Sequence, residues 1–276
     1  MIITPFSIAH GEAIIHGDIY HAGHTACPIL LLIHGFQGSK NWGFFPAIAQ
    51  AFAQSGYITI SWNMSLNGYS KDAAFIDQPE DFARNTISQE ILDTQIIIDS
   101  ILCDNRILSD ELRSQWNGTL HVLGHSRGGG IAIIISEKNP CINKLVLWNS
   151  ISRFGRFTER QKRVWSETGI FPIGETEHGK VIAMNYSYIH DLEIHGDEYS
   201  PLRAIEHSTA DILIVHAEQD MTVPLREGHA LQQHSVSGQI CIIPKTGHIF
   251  GCSHPYTGMT DPLQQAIDIT TAFFSA

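Results

Sequence analysis

Two spacings of apolar residues alternate along the chain. Residues 2–9 and 13–20 alternate apolar and polar on either side of His10-Gly11-Glu12, which predicts a β-hairpin or two antiparallel edge strands. Ile29-Leu30-Leu31-Leu32-Ile33 is instead a continuous apolar run, the pattern of a strand buried on both faces of a sheet. From Trp42 to Ser55 the apolar residues Phe44, Phe45, Ile48, Ala49, Phe52 and Ala53 recur at helical spacing, and Gly56 closes that helix. Tyr57 to Trp62 reads as the next buried strand. Residues 63–84 are polar and turn-rich and read as a loop over the strand ends. A helix is predicted over residues 85–104, which carry Ile87, Ile91, Leu92, Gln95, Ile96, Ile98 and Leu102 at helical spacing. Lys144 to Trp148, Asp211 to His216 and Gly238 to Ile243 are three more short buried strands. Residues 262–274 form a terminal helix with Pro262 at its start and apolar residues on one face. Strands that alternate with helices imply an α/β fold, with a mostly parallel central sheet covered by helices on both faces.

Between Trp148 and Asp211 the alternation stops. This segment mixes Phe154, Phe157, Trp165, Phe171, Tyr186, Tyr188 and Tyr199 with polar residues and lies between two core strands. It reads as a cap inserted over the C-terminal edge of the sheet at roughly residues 150–207, within a single domain spanning residues 1–276.

The most informative stretch is Leu120 to Ile135, LHVLGHSRGGGIAIII. An apolar run ends in Gly124-His125-Ser126-Arg127-Gly128 and a second apolar run follows at once. This is G-x-S-x-G between a strand and a helix, the context that a nucleophile elbow requires. A serine hydroxyl is a poor nucleophile and must project uncrowded towards a base. A sharp strand-to-helix turn presents it so, and leaves little room for side chains at Gly124 and Gly128. The plainer alternative is a glycine-rich turn with an incidental serine, so the rest of the chain must supply a base, a group to orient it and donors for an oxyanion.

Each appears in a loop after a predicted buried strand. Asp220 lies in Glu218-Gln219-Asp220-Met221-Thr222, where a carboxylate can meet the far nitrogen of an imidazole. His248 lies in Thr246-Gly247-His248-Ile249-Phe250. Ser, then Asp, then His is the chain order of a Ser-His-Asp triad on this kind of fold. Two fixed N–H donors are expected at the backbone of Arg127, the residue after the nucleophile, and of Phe36 in His34-Gly35-Phe36-Gln37-Gly38.

The motifs HGFQGSK, GHSRGG, EQDMTVP and TGHIFG, spread from Ile29 to Gly251, make the chain resemble serine hydrolases of the α/β-hydrolase superfamily, similar to bacterial dienelactone hydrolases and prolyl-oligopeptidase-like esterases. The resemblance implies Ser126 as nucleophile, His248 as base, Asp220 as its partner and backbone oxyanion donors at Phe36 and Arg127. Dienelactone hydrolases themselves use a cysteine nucleophile. Ser126 in that place turns the expectation towards ordinary carboxylic esters. A peptidase or amidase of the prolyl-oligopeptidase type is the nearest alternative, although neither that family's large extra domain nor a Glu-Glu pair in the cap is present. A non-catalytic scaffold serving as a binding protein is the third reading, and one that is expected to have lost a triad member.

Composition narrows the partners. The net charge of −11 speaks against nucleic acid and anionic membranes, leaving a small-molecule ester as the expected partner. The five cysteines are scattered, odd in number and without C-x-x-C, as in reduced thiols of a cytoplasmic protein. The first fifteen residues have neither a basic region nor a sustained apolar core, so no signal peptide is expected. No cofactor and no metal are expected, because a serine triad needs neither and the spacing of His248, Cys252 and His254 matches no usual zinc pattern. Composition does not indicate an oligomeric state.

Several residues carry competing expectations. Glu218 is two residues from Asp220 and is the alternative acid. His125 is expected to pack beneath the elbow, and His34 to support the oxyanion loop by hydrogen bonding. Arg127 either makes a structural salt bridge or reaches towards the substrate. Arg153, Arg156, Arg160, Lys162 and Arg163 read as the solvated face of an amphipathic helix, with attraction of an acidic substrate as the alternative. The cap aromatics either line a pocket or form the cap's own small core.

Overall fold

The computed structural model describes residues 1–104 and 106–276. The elements run β1 (Ile2–His10), β2 (Ala13–His21), β3 (Cys27–Ile33), α1 (Phe45–Gln54), β4 (Ile58–Trp62), α2 (Pro79–Arg84), α3 (Ile87–Leu102), α4 (Asp110–Gln115) and β5 (Trp116–His125). They continue α5 (Arg127–Lys138), β6 (Ile142–Trp148), α6 (Glu159–Thr168), β7 (Ile170–Glu175), β8 (Val181–Asn185) and α7 (Ser187–His195). A short 3₁₀ turn over Gly196–Tyr199 leads to α8 (Pro201–His207), β9 (Asp211–Ala217), α9 (Leu225–His234), β10 (Gln239–Ile243) and α10 (Asp261–Ser275).

Among the described residues, eight strands form one sheet in the order β1-β2-β4-β3-β5-β6-β9-β10. The hairpin pairs antiparallel within itself and onto β4, and every pairing from β4 to β10 is parallel. The unbroken apolar runs have the expected cause, because the sheet is covered twice. Along β3, Ile29, Leu31 and Ile33 enter the core shared with α3 and α5, while Leu30 and Leu32 enter the core shared with α1 and α10. Successive side chains point to opposite faces, so a strand between two helix layers must be apolar at every position.

Several boundaries depart from the sequence reading. The stretch 63–84 is not all loop: its last six residues are α2, started by Pro79, with Glu80 and Asp81 in the first turn and Phe82 buried. The first helix begins at Phe45 rather than near Trp42, because residues 39–45 form successive tight turns, Trp42 N–H to Ser39 O and Phe45 N–H to Trp42 O. Helices α4, α8 and α9 escaped the reading because each is short or polar. Ser109 caps α4 and Ser200 caps α8.

Between β6 and β9 the chain forms α6, the antiparallel β7–β8 ribbon, α7 and α8. Trp165 of α6 is fully buried, with Phe157, Phe171, Tyr186 and Tyr188 around it, and its indole N–H donates to Met184 O at 3.0 Å. The aromatic residues of this segment therefore do form a small core. Among the described residues, no helix is long and apolar enough to cross a membrane.

Candidate active site

The loops after β3, β5, β6, β9 and β10 all leave the same edge of the sheet, the carboxyl ends of the parallel strands. Helices α1 and α5 leave the neighbouring strands β3 and β5 towards opposite faces, which opens a crevice at that edge; ligands of such sheets bind there.

Ser126 stands between β5 and α5 with φ 58° and ψ −121°, a backbone conformation that side-chain-bearing residues rarely adopt. Its N–H donates to Trp148 O at 2.9 Å, which fixes the turn to β6. Packing explains the glycines around it. A Cβ on Gly124 would lie 2.3 Å from Gly128 O, and one on Gly128 would lie 2.3 Å from Ile33 O. The helix after the turn therefore sits directly on β3 and β5.

Ser126, His248 and Asp220 form one hydrogen-bonded relay. Ser126 Oγ is 2.9 Å from His248 Nε2, and His248 Nδ1 is 2.7 Å from Asp220 Oδ2. Asp220 Oδ1 accepts the N–H groups of Thr222 and Val223, both at 2.8 Å. Burial alone would raise the Asp220 pKa. The hydrogen bond and charge of His248, with the Val223 and Thr222 N–H groups, outweigh burial and hold the carboxyl below its ordinary value. An ionised Asp220 in turn fixes a proton on Nδ1 and leaves Nε2 free to accept from the serine. Glu218 takes no part: its carboxylate accepts the Lys245 N–H at 3.1 Å in an exposed position.

The His248 carbonyl is held twice, by Asn149 Nδ2 at 2.8 Å and by His125 Nε2 at 3.0 Å. Asn149 is fully buried with φ 47°, and its Oδ1 accepts the Ala217 N–H at 2.7 Å. It thereby joins the ends of β6 and β9 to the loop that carries His248. Sequence reading missed Asn149. The one available signal was a buried strand ending in an amide residue that tolerates positive φ. His125 packs beneath the turn against Phe44 and Phe45 as expected, and its hydrogen bond to the His248 loop is an addition. Burial pushes its pKa down to about 3, so it is neutral and can donate from one nitrogen only. His216 lies under the same loop; its Nε2 donates to Val223 O at 2.9 Å and stands 3.9 Å from Asp220 Oδ2.

The loop after β3 runs beside the serine, so closely that a Cβ on Gly35 would lie 2.9 Å from Ser126 Cβ. His34 ties this loop down: Nδ1 donates to Gly35 O at 2.9 Å and Nε2 accepts the Met64 N–H at 3.2 Å. Burial holds the His34 pKa down at about 4. Lys40, buried at the loop's far end, pairs with Asp18 of β2 at 2.7 Å. The loop brings Phe36 to the same cavity as Ser126 and Arg127. Arg127 opens α5, so its N–H has no acceptor within the helix.

That cavity, ≈190 Å³, is walled by Phe36, Ile151, Phe154, Phe157, Met184 and Tyr188, with Ser126, Arg127, Arg156 and Thr222 as its polar members. The walls come largely from the segment between β6 and β9. Its aromatic residues thus do both things that the sequence left open, lining a pocket and packing on one another. A larger groove, ≈500 Å³, lies between the β1–β2 turn and residues 65–71; it is polar and contains none of the relay residues.

The basic cluster divides. Arg160 and Arg163 are exposed on α6 and Lys162 pairs with Glu159 at 2.9 Å, as a solvated face should. Arg156 precedes the helix and departs from that reading. Its Nη2 donates to Thr222 O at 2.8 Å and meets the buried Glu227 at 3.0 Å. Arg127 is likewise paired, with Glu90 at 3.3 Å. His248, Cys252 and His254 have separate partners. His254 accepts the Gly43 N–H at 3.0 Å and donates to Ala74 O at 2.6 Å, while Cys252 neighbours Thr260.

No family model and no curated protein matches this sequence. Solved structures do. Est1E from Butyrivibrio proteoclasticus, with ferulic acid bound, superposes with a TM-score of 0.71 at 16% identity, covering 98% of this chain and 97% of that one. The α/β hydrolase GrgF from Penicillium superposes at 0.71 and 14% identity, covering 99% and 98%. A dienelactone hydrolase from Anabaena variabilis superposes at 0.63 and 15% identity, covering 99% and 97%. The sheet order, the strand-to-helix turn at Ser126 and these superpositions together establish that the chain has the α/β-hydrolase fold.

Proposed function

We propose that the protein is a serine hydrolase of carboxylic esters, with Ser126 as nucleophile, His248 as general base and acid, and Asp220 as the group that orients it. The observation that carries this reading is the unbroken relay from Ser126 Oγ through His248 to the buried Asp220, at 2.9 and 2.7 Å, opening on an apolar cavity. Ser126 Oγ attacks the ester carbonyl carbon while its proton passes to His248 Nε2. The carbonyl oxygen becomes an oxyanion that the N–H groups of Phe36 and Arg127 receive. Collapse of this intermediate breaks the bond to the alcohol oxygen, which takes the proton from His248. A water then attacks the acyl-enzyme, giving its proton to His248; release of the carboxylic acid returns that proton to Ser126. No step draws on a metal or cofactor.

The segment between β6 and β9 acts as a cap that selects the acyl group. The size and aromatic walls of the cavity favour short or flat acyl groups, and the ferulic acid bound to Est1E supports the same direction. The partner is then a small ester. A net charge of −11 weighs against nucleic acids and anionic membranes, and five unpaired cysteines suit a reducing cytoplasm. The test is Ser126→Ala. The variant is expected to keep its fold by circular dichroism while losing hydrolysis of p-nitrophenyl acetate and butyrate and labelling by a fluorophosphonate. Full turnover in that variant would remove the reading.

A further inference from the structure

The loop 34–40 is fastened almost everywhere by hydrogen bonds. His34 is held through both ring nitrogens, Gln37 O accepts the Tyr69 hydroxyl at 2.7 Å, Gly38 N–H donates to Gly35 O at 3.1 Å, and Lys40 pairs with Asp18. Phe36 is the exception. Among the described residues it is held by ring contacts alone, and it is 38% exposed. The guanidinium of Arg127 lies 4.0 Å from the centre of its ring, and Phe82 of α2 packs against the same ring at 5.6 Å.

The guanidinium is itself fixed from behind. Arg127 is buried, pairs with Glu90 of α3 at 3.3 Å, and has the ring of Tyr188 at 5.5 Å. Glu90 is also buried and is steadied by Asn85 Nδ2 at 2.8 Å. A guanidinium can stack on an aromatic face and pair with a carboxylate at once, and the stack is strongest where water is excluded.

We propose that the Arg127 side chain is a positioning residue for the oxyanion hole: stacked on Phe36 and braced by Glu90 and Tyr188, it holds the Phe36 N–H in register with Arg127's own. This inference rests on the esterase reading for its kinetic consequence, but not for its structural one. Arg127 thus contributes twice, with a backbone donor of its own and a side chain that sets the second donor. The stack ties loop 34–40 to the first turn of α5 without a hydrogen bond. The oxyanion forms only after attack, so slackening one donor lowers kcat and leaves ground-state binding nearly unchanged.

The experiment uses the full chain with Arg127→Lys, which keeps a cation beside Glu90 but loses the planar stack, Phe36→Leu, which removes a half-exposed ring and keeps the backbone donor, and the double variant. Steady-state hydrolysis of p-nitrophenyl butyrate is measured together with amide hydrogen exchange of the 34–39 segment. Each single variant is expected to lose about tenfold to a hundredfold in kcat, with KM within about threefold and an unchanged pH profile, as for partial loss of one oxyanion donor. The double variant should be no worse than the weaker single, and exchange at 34–39 should accelerate in all three. Losses that multiply, a rise in KM at constant kcat, or unchanged exchange at 34–39 would each overturn the clamp; the second would make Arg127 a substrate contact instead. If wild type shows no Ser126-dependent turnover while exchange still accelerates in the variants, the esterase reading falls and the clamp stands.

Discussion

Asn149 and His248 are joined side chain to backbone: the Asn149 amide donates to the His248 carbonyl at 2.8 Å, and its own oxygen accepts the Ala217 N–H at 2.7 Å. The residue is fully buried at φ 47° in the sheet's edge, so the base's loop is registered against β6 and β9 rather than against solvent. Asn149→Asp replaces the donor with an acceptor facing a carbonyl. It is expected to cost about 1–3 kcal/mol in denaturant unfolding, the penalty of unpairing a buried polar group, and to lower kcat/KM by at least about tenfold. Wild-type kinetics in a variant of lowered stability would show that the amide holds the sheet edge and not the base.

Gly35 carries a steric prediction. A methyl group there would lie 2.9 Å from Ser126 Cβ and 3.2 Å from His125 O. Neither neighbour can yield without moving the strand-to-helix turn. Gly35→Ala should therefore slow ester hydrolysis by about 10²-fold or more while costing about 1–3 kcal/mol of stability, as overpacking does. Kinetics alongside thermal unfolding separate the two effects; equal activity in the two proteins would mean that the loop stands off the serine.

Arg156 and Glu227 predict an asymmetry. The carboxylate is buried and also accepts the Ser152 N–H at 2.9 Å, whereas the Arg156 side chain is 30% exposed. Arg156→Gln leaves a buried charge without its cation and should cost about 1–2 kcal/mol, below the usual figure for a fully buried pair because water reaches the guanidinium. The pair of changes Arg156→Gln and Glu227→Gln should cost less than Arg156→Gln alone. Urea titrations of the three variants decide it, and strictly additive losses would dismiss the pairing.

Acid sensitivity follows from the buried histidines. Burial lowers the pKa of His34 and His121 to about 4 and of His125 to about 3, against 6.5 in the unfolded chain. As pH falls below 6.5 the unfolded chain takes up these protons first, so stability declines until the folded-state values are reached. Each group contributes up to about 1.4 kcal/mol per pH unit across that window. Asp93 acts in the opposite sense. Burial raises it to about 6 from 3.8, so between those values the folded state binds its proton first and regains stability on acidification. Glu90, raised by burial, acts with Asp93, while His216, lowered by burial, acts with the three histidines. The lowered groups outweigh the raised pair, and Tm should fall from pH 6.5 to about pH 4. His121 is remote from the relay and stacks on Phe274 at 4.8 Å; His121→Phe should flatten that decline with unaltered turnover at neutral pH. A Tm independent of pH over this range would refute the argument.

Much of this was legible in the chain. The doubly covered strands announced themselves as unbroken apolar runs, and Ser126 and Asp220 stood in loops after two of them. His248 follows β10, which also read as a buried strand but is the edge of the sheet with Ile242 exposed, because a short apolar run does not show whether a neighbouring strand covers it. What stayed hidden depends on contacts remote in sequence. Nothing near Asn149 says that residue 248 will lie above it. The salt-bridge reading of Arg127 holds, with Glu90 as its partner; its stack on Phe36 was not legible, because it needs three elements brought together by the fold. Arg156 was grouped with a helix face that begins only at Glu159, since proximity in sequence was the only guide to proximity in space. The short helix α2 was lost among polar residues because one buried phenylalanine is too little to show a period.

Tyr188 has a consequence of a different kind. The same ring packs on Trp165 within the inserted segment, forms part of the cavity wall and backs the guanidinium of Arg127. Variation at this position is therefore pleiotropic: a lineage that reshapes the cavity for a new acyl group by changing Tyr188 also disturbs the first turn of α5. Ile151 shares that coupling, since it packs against Gly130 in the same turn and donates its N–H to Ser126 O at 3.3 Å. Met184, which lines the cavity from β8, is the freer position for drift in selectivity.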